Sequence, residues 1–379
     1  MQQGPLYFAN SVALASLPIR SLAVAVFAMT CTMLCAPNQS IADERPAVAV
    51  KVGEIREAEA IDVLDITSDG EHVAIKTVAA PIIHIWGWRG SSHILRTLSI
   101  PSSPKLYVGT PIIKYSPTGH RLAVLDVMLG IANQGTAIHL WDSHSGALLH
   151  SIGEPHNFPT TDGLAYSHDQ SVLSLYHPRV ESPDYDLDSY RSDTWTLEWR
   201  LSLGALIPWS LISSPNGQLA AIGGSTGQSV SHPHRPIVIV NLATPAILRE
   251  IDAFPNNTIF SHIAWSPDSK QIAAGVSVGA GNPDVDSLKI FAVATGERTS
   301  RAIPPQQNVA DLAFGGDGKY LIVSTTGLLN VITIWDSSLK SILQTIPLGS
   351  GPGRPIAASH DGHFIAIADD AIVGIWEIK

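Results

Sequence analysis

The sequence predicts an all-β chain: seven similar four-stranded antiparallel units set in a ring, with a strand near the N-terminus completing the last unit. Three observations carry this. A turn-like tetrapeptide recurs seven times at intervals of 44 to 52 residues. A Leu or Ile stands three residues before the first position of every one of those turns. The final copy supplies three strands only, while an alternating strand without a local partner lies far upstream. A fixed period of this length marks repeated supersecondary units, none of which can bury both faces alone.

The turns read "TSDG" at Thr67, "SPTG" at Ser116, "SHDQ" at Ser167, "SPNG" at Ser214, "SPDS" at Ser266, "GGDG" at Gly315 and "SHDG" at Ser359. Asp or Asn followed by Gly is turn chemistry, because Gly takes the positive φ that the bend requires. The residues three positions earlier are Leu64, Ile113, Leu164, Leu211, Ile263, Leu312 and Ile356. Aromatic residues often stand directly before the turn, as at Tyr115, Tyr166, Trp265 and Phe314. Apolar side chains two residues apart share one face of a strand, so these define the first strand of each unit.

The second strand follows the turn, as in "RLAVL", "QLAAI", "QIAAG", "YLIVS" and "FIAIA". The third comes after a variable loop, as in "PIIHIW", "TAIHLW", "SLKIF", "VITIW" and "AIVGIW". In the third unit it falls on Tyr185–Tyr190. A polar turn then leads to a fourth, as in "GALLHSI" and "SLKSILQTI". The last unit stops after "AIVGIWEIK" with an open edge. "PAVAVKVGEI", Pro46 to Ile55, is expected to add there as the outermost strand, since an uncovered edge can template aggregation.

The stretches "LAFGGDGKYLIV…VITIWDSSLKSILQTI" and "IIKYSPTGHRLAVL…TAIHLWDSHSGALLHSI" resemble WD repeats, the tryptophan–aspartate repeats of β-propellers. The resemblance covers about residues 46–379 in seven copies. It implies a seven-bladed propeller of four-stranded blades around a central channel. Two features depart from the family pattern: Asp follows the third-strand Trp only at Trp141-Asp142 and Trp335-Asp336, and the His near each repeat start is mostly absent. Trp86, Trp141, Trp335 and Trp376 share one repeat position and are expected in the core between blades.

Residues 1–42 are set apart by composition, with no acidic residue and one basic residue, Arg20. The apolar run Leu22–Leu34 is short for a membrane span and is followed by Ser40 and Ala42, which reads as a secretory signal cleaved after Ala42. An uncleaved anchor is the alternative. Residues 43–379 then form the exported propeller, periplasmic or secreted. Cys31 and Cys35 both lie in the leading segment, so that domain has no disulfide or thiolate chemistry. It carries 22 Lys+Arg (23 less Arg20) against 33 Asp+Glu, a net charge of −11, which repels nucleic acid and anionic lipid.

Side chains two and four residues before each turn are expected to line the channel. Most are small, as at Ala165, Ala264, Ala313 and Ala357; the ionisable exceptions are Asp65, Lys114, His262 and Asp311. His262 and Asp311 occupy equivalent positions in neighbouring blades and form the candidate catalytic pair. Asp184, Asp186 and Asp188 alternate like the first ligands of a calcium loop, but Ser189 and Trp195 replace its Gly and Glu. The same alternation arises on the solvent side of an edge strand. His232 and His234 could share a zinc only with a carboxylate from elsewhere.

No hydrolase, metalloprotease or phosphate-binding motif is present. The loops between second and third strands are long in four adjacent blades, at residues 126–135, 177–186, 223–235 and 277–287. Clustered insertions on a rigid ring suggest a recognition face. The expected function is therefore a non-catalytic, monomeric scaffold that binds a protein or peptide without a cofactor, nucleic acid or membrane insertion. The alternatives are a lactonase-like or other hydrolase at the channel mouth, and a calcium-stabilised sugar-binding module.

Overall fold

The computed structural model describes residues 48–379 apart from residues 79, 102–110, 129–134, 153–162, 168, 177–183, 227–233, 256–257, 279–285, 303–307, 327–329 and 350–354. Ala47–Lys379 is one compact unit. The segment read as a secretory signal, most of each long loop, and His232 lie outside the described residues, as does the side chain of His234.

The chain enters with β1 (Ala49–Arg56) and then lays down its sheets in order. Blade 1 is β2 (Ile61–Ile66), β3 (His72–Thr77), β4 (Ile82–Gly87) and β5 (His93–Ser99). Blade 2 is β6 (Ile112–Tyr115), β7 (Arg121–Met128), β8 (Gly135–Asp142) and β9 (Leu148–Ile152). Blade 3 is β10 (Leu164–Tyr166), β11 (Val172–Tyr176), β12 (Tyr185–Tyr190) and β13 (Leu197–Gly204). Blade 4 is β14 (Leu206–Ser213), β15 (Leu219–Thr226), β16 (His234–Asn241) and β17 (Ala246–Pro255). Blade 5 is β18 (Thr258–Trp265), β19 (Gln271–Val278), β20 (Leu288–Ala292) and β21 (Arg298–Ala302). Blade 6 is β22 (Asn308–Gly315), β23 (Tyr320–Thr326), β24 (Val331–Asp336) and β25 (Ile342–Pro347). Blade 7 is β26 (Ile356–Ala358), β27 (Phe364–Asp369) and β28 (Ile372–Ile378), with β1 as its fourth strand. The result is a seven-bladed β-propeller with every sheet antiparallel and four-stranded.

Seven apolar clusters hold the ring, each shared by two successive blades. The second strands show how one sheet serves two neighbours. In β27, Ile365 and Ile367 face blade 6 while Ala366 and Ala368 face blade 1. In β3, Val73 and Ile75 face blade 7 and Ala74 faces blade 2. In these two strands large residues point to the preceding blade and Ala receives the following one, the period-two alternation of a strand buried on both faces. The Leu or Ile three residues before each turn is buried in all seven blades. Trp141 and Trp335 are buried between blades, while Trp86 and Trp376 are half-buried against the same kind of cluster.

The turns owe their recurrence to a buried hydroxyl. Ser266 Oγ donates to Asp268 Oδ1 at 2.6 Å and accepts the Gln271 amide at 2.9 Å. Asp268 Oδ1 in turn accepts the Lys270 amide at 3.1 Å. Thr67, Ser214 and Ser359 repeat the pattern with Asp69, Asn216 and Asp361. The fourth turn residue has positive φ in every copy, including Gln170 (67°) and Ser269 (61°), where the usual Gly is absent.

Blade 6 departs from this pattern for a steric reason. Its second strand carries Ile322 where five other blades have Ala and blade 3 has Leu173, and a Cβ on Gly315 would lie 2.7 Å from Ile322 Cδ1. The missing hydroxyl is replaced by a direct backbone contact, Gly316 N donating to Gly362 O of blade 7 at 2.9 Å.

Closure is equally specific. β1 pairs with β28 from Ala49↔Ile378 to Arg56↔Ile372, with a bulge between Lys51 and Gly53. Its outer side is held by Gln344 of blade 6, whose side-chain amide accepts from Ala49 N at 2.9 Å and donates to Ala49 O at 3.0 Å. Trp88 lies against Gly53, where any Cβ would come within 2.6 Å of the indole, and donates its Nε1–H to Gly70 O at 2.7 Å. Just past β1, Glu57 accepts the Trp86 Nε1–H at 2.6 Å and contacts His84 Nδ1 at 3.0 Å.

The alternating acids of β12 require a correction. They lie neither on a calcium loop nor on the wet side of an edge strand, because β12 is an interior strand of blade 3. Asp188 is fully buried and receives two hydrogen bonds of 2.7 Å from Arg200 on the outer strand β13, with Asp186 Oδ2 at 3.6 Å from the same guanidinium. The bidentate geometry neutralises the buried carboxylate. Asp184 is exposed just before the strand.

Ser266→Ala should cost about 1 kcal/mol by removing the acceptor of the Gln271 amide. Gly315→Ser, which makes the sixth turn look like the others, should also destabilise, by about 1–3 kcal/mol; denaturant unfolding in which Gly315→Ser gains stability would count against the steric account. A chain beginning at Glu57 should lose on the order of 5 kcal/mol and self-associate through the bared edge of β28; a monomer of unchanged melting temperature would refute the clasp.

Candidate functional site

The first strand of each blade turns one row of side chains toward the axis, where they enclose a cavity of about 530 Å³. Two rings of side chains set its character. The deeper ring, two residues before the turns, supplies Asp65, Lys114, Ile212, Ala264, Ala313 and Ala357 to the lining. Ala165, the remaining member, lines a smaller cavity of about 230 Å³ at the turn end. The outer ring, four residues before the turns, contributes all seven of its members, among them His262 and Asp311.

His262 and Asp311 meet. Their side chains approach across blades 5 and 6 with Nδ1 3.3 Å from Oδ1. Asp311 is fixed independently by the backbone, accepting the Ile356 amide of blade 7 at 2.9 Å and the Leu312 amide at 2.8 Å. Its carboxylate is largely buried, whereas the His262 side chain is 49% exposed. The base is presented to the cavity and the acid is recessed behind it.

A second such pair spans blades 1 and 2. Lys114 Nζ lies 3.7 Å from Asp65 Oδ1, and Asp65 Oδ2 accepts the Tyr115 amide at 2.7 Å. Burial pushes the Asp65 carboxyl above the usual range, with the Lys114 ammonium and then the Tyr115 amide opposing that rise. Lys114 is 39% exposed. Both carboxylates therefore serve as clasps between neighbouring blades, and the groups left facing the cavity are a cation and an imidazole.

The expectation of two lining rows misses the residues that bulges insert, among them Asp62 and Trp209. β2, β14, β18 and β22 each contain a bulge in the same place, after Ile61, Pro208, Phe260 and Val309. A bulge inserts one extra residue and re-aims its side chain. Asp62 and Trp209 are such residues, and both line the cavity. Asp62 lies 3.3 Å from Lys76, whose side chain is 1% exposed and which also donates to Thr77 O. Trp209 is 50% exposed, with its Nε1–H directed to Ser225 Oγ at 3.3 Å. Among the described residues no group of three or more His, Cys, Asp or Glu is placed to hold a metal ion.

No protein-family model matches the chain. No curated protein matches it either. Among solved structures, hydrazine synthase of Kuenenia stuttgartiensis is similar, with a TM-score of 0.65 over 83% of this chain and 94% of that one at 15% sequence identity. At that identity the likeness concerns the fold alone. In all, 1281 solved chains resemble this one, so the shape by itself selects no activity.

The Asp65 environment yields a test. Its folded-state pKa lies above the unfolded value, so it favours folding at acid pH and withdraws that support as pH rises through the raised value. Lys114→Met removes the largest opposing influence. The Asp65 carboxyl, followed by NMR, should then titrate higher still, with a steeper loss of stability on going from acid to neutral pH; an unmoved titration would break the assignment.

Proposed function

We propose that the protein is a binding module that takes a protein or peptide segment at the mouth of its axial cavity. A propeller fold is a rigid frame suited to such a role, and the WD-repeat likeness of the sequence, shared with a family of interaction scaffolds, points the same way. One observation carries the reading. The cavity of about 530 Å³ is reached by all seven blades, and its lining includes a half-exposed indole, Trp209, an exposed imidazole and an ammonium. Apolar pockets with a few convergent polar groups are where ligands bind, and exposed aromatics are preferred anchors. On this reading residues 1–42 direct export and the domain acts outside the cytoplasm as a monomer, without a cofactor.

A second reading, hydrolysis in the same cavity, is favoured by one specific contact, the 3.3 Å approach of His262 to Asp311. A carboxylate behind an exposed imidazole is the arrangement a general base requires.

The binding reading is tested by selecting displayed random peptides on the purified protein and titrating the winners by fluorescence polarisation. Trp209→Ala should weaken them about tenfold or more, equivalent to ~1.4 kcal/mol, with the melting temperature retained. Equal affinity for the variant would rule out the cavity mouth as the docking point.

A further inference from the structure

The outer ring of the axial cavity holds a hydroxyl residue, Ser210, that neither reading uses. Four of its members, Val63, Ile112, Gly163 and Pro355, are apolar or lack a side chain. The other three are Ser210, His262 and Asp311, and they stand in three consecutive blades in that order. Each directly follows the bulge of its strand, in β14, β18 and β22, so the three occupy the same height around the axis. All three line the cavity.

From this placement we infer that Ser210, His262 and Asp311 act as nucleophile, base and positioning residue in the cleavage of carboxylic esters. The inference rests on the hydrolytic reading above and adds its nucleophile and substrate class. The chemistry follows from the ring order. Asp311 is held by two backbone amides and takes up the Nδ1 side of His262. With its Nδ1 side turned to Asp311, the imidazole has Nε2 left to take a proton, and Ser210 is the hydroxyl residue at the equivalent position one blade back. A serine hydroxyl is a weak nucleophile until such a base takes its proton. Side-chain geometry of this kind is often loose before substrate binds, and the one-blade step between Ser210 and His262 is the same as that between His262 and Asp311.

The reaction balances with water as the only co-reactant. Ser210 Oγ bonds to the ester carbonyl carbon while its proton passes to His262 Nε2. The carbonyl-to-alkoxy bond then breaks, and the imidazolium returns that proton to the departing alcohol. Water attacks the Ser210 acyl ester, giving a proton to His262. The Ser210 oxygen leaves, reclaims the proton, and the carboxylic acid is released. Asp311 keeps the ring in one tautomer. The surroundings select the substrate class. Trp209, adjacent in the chain to Ser210, offers an apolar wall, as do Ile112 and Pro355, so an ester with an apolar acyl group fits a space of about 530 Å³.

The test uses the purified full chain with a fluorophosphonate probe, whose phosphorus is attacked by an activated serine oxygen with loss of fluoride. Peptide mass spectrometry should place the adduct on Ser210. Labelling should vanish in Ser210→Ala and slow about 100-fold in His262→Ala. Asp311→Asn, which keeps an acceptor for the Ile356 amide, should lower kcat on p-nitrophenyl butyrate without raising KM. A folded protein with no adduct on Ser210, or with an adduct whose rate ignores His262, would overturn the inference. Ester turnover that persists in Ser210→Ala would overturn it too while leaving the hydrolytic reading in place, and the absence of both adduct and turnover would remove both. Peptide affinity is decided separately by the Trp209 variant.

Discussion

Everything in this molecule depends on the fact that a four-stranded sheet has two faces and each must find apolar cover. A single blade can satisfy one face by curling against a neighbour, but the other face then needs a further neighbour. Only a closed cycle ends that series without leaving a sheet half wet. The seven inter-blade clusters are the energetic statement of that closure, and the cluster joining blades 7 and 1 is no different in kind from the rest. It draws on β1, β26, β27 and β28 from one side and β2 and β3 from the other. In blades 1, 5 and 7 the second strand carries Ile or Val on the face toward the preceding blade and Ala on the face toward the next.

The polar groups near the axis are arranged around the same demand. Inner strands crowd together, so their backbone amides need partners that fit between blades. Asp65 and Asp311 supply them, each reaching from its own blade to an amide of the next. That structural duty also buries the carboxylates and leaves their partners, Lys114 and His262, toward the cavity. In these two pairs the charge facing the cavity is thus a by-product of how the ring is stapled, with the acid recessed and its partner displayed.

Much of this was legible in the amino-acid sequence, because the repeat makes seven independent statements of one local rule. The Leu or Ile three residues before each turn, the third strand at Tyr185–Tyr190 in an irregular repeat, and the approach of His262 to Asp311 are all consequences of equivalent positions in equivalent blades. What escaped was whatever breaks the period. Bulges shift the two-residue alternation, so Asp62 and Trp209 fall outside any row counted back from a turn. The acids of β12 alternate just as a solvated edge would, and the residue that distinguishes the cases, Arg200, lies on the next strand. Gly315 looks like a degraded turn until Ile322, seven residues on, is seen to occupy the space of its side chain.

The bond between the Gln344 amide and the backbone of Ala49 joins residues 295 positions apart. During synthesis β1 emerges early and must wait, unpaired, until nearly all the remaining strands have been made. Its neighbours in sequence offer it no sheet, because β2 to β5 already form a complete set. Assembly therefore has a high contact order in its final step, and the penalty grows with the logarithm of the intervening length. A chain of this kind completes its native state late and all at once, and in the interval it presents two complementary raw edges. In a crowded compartment the rate of that last docking event, more than the depth of the final energy minimum, sets the yield of usable molecules.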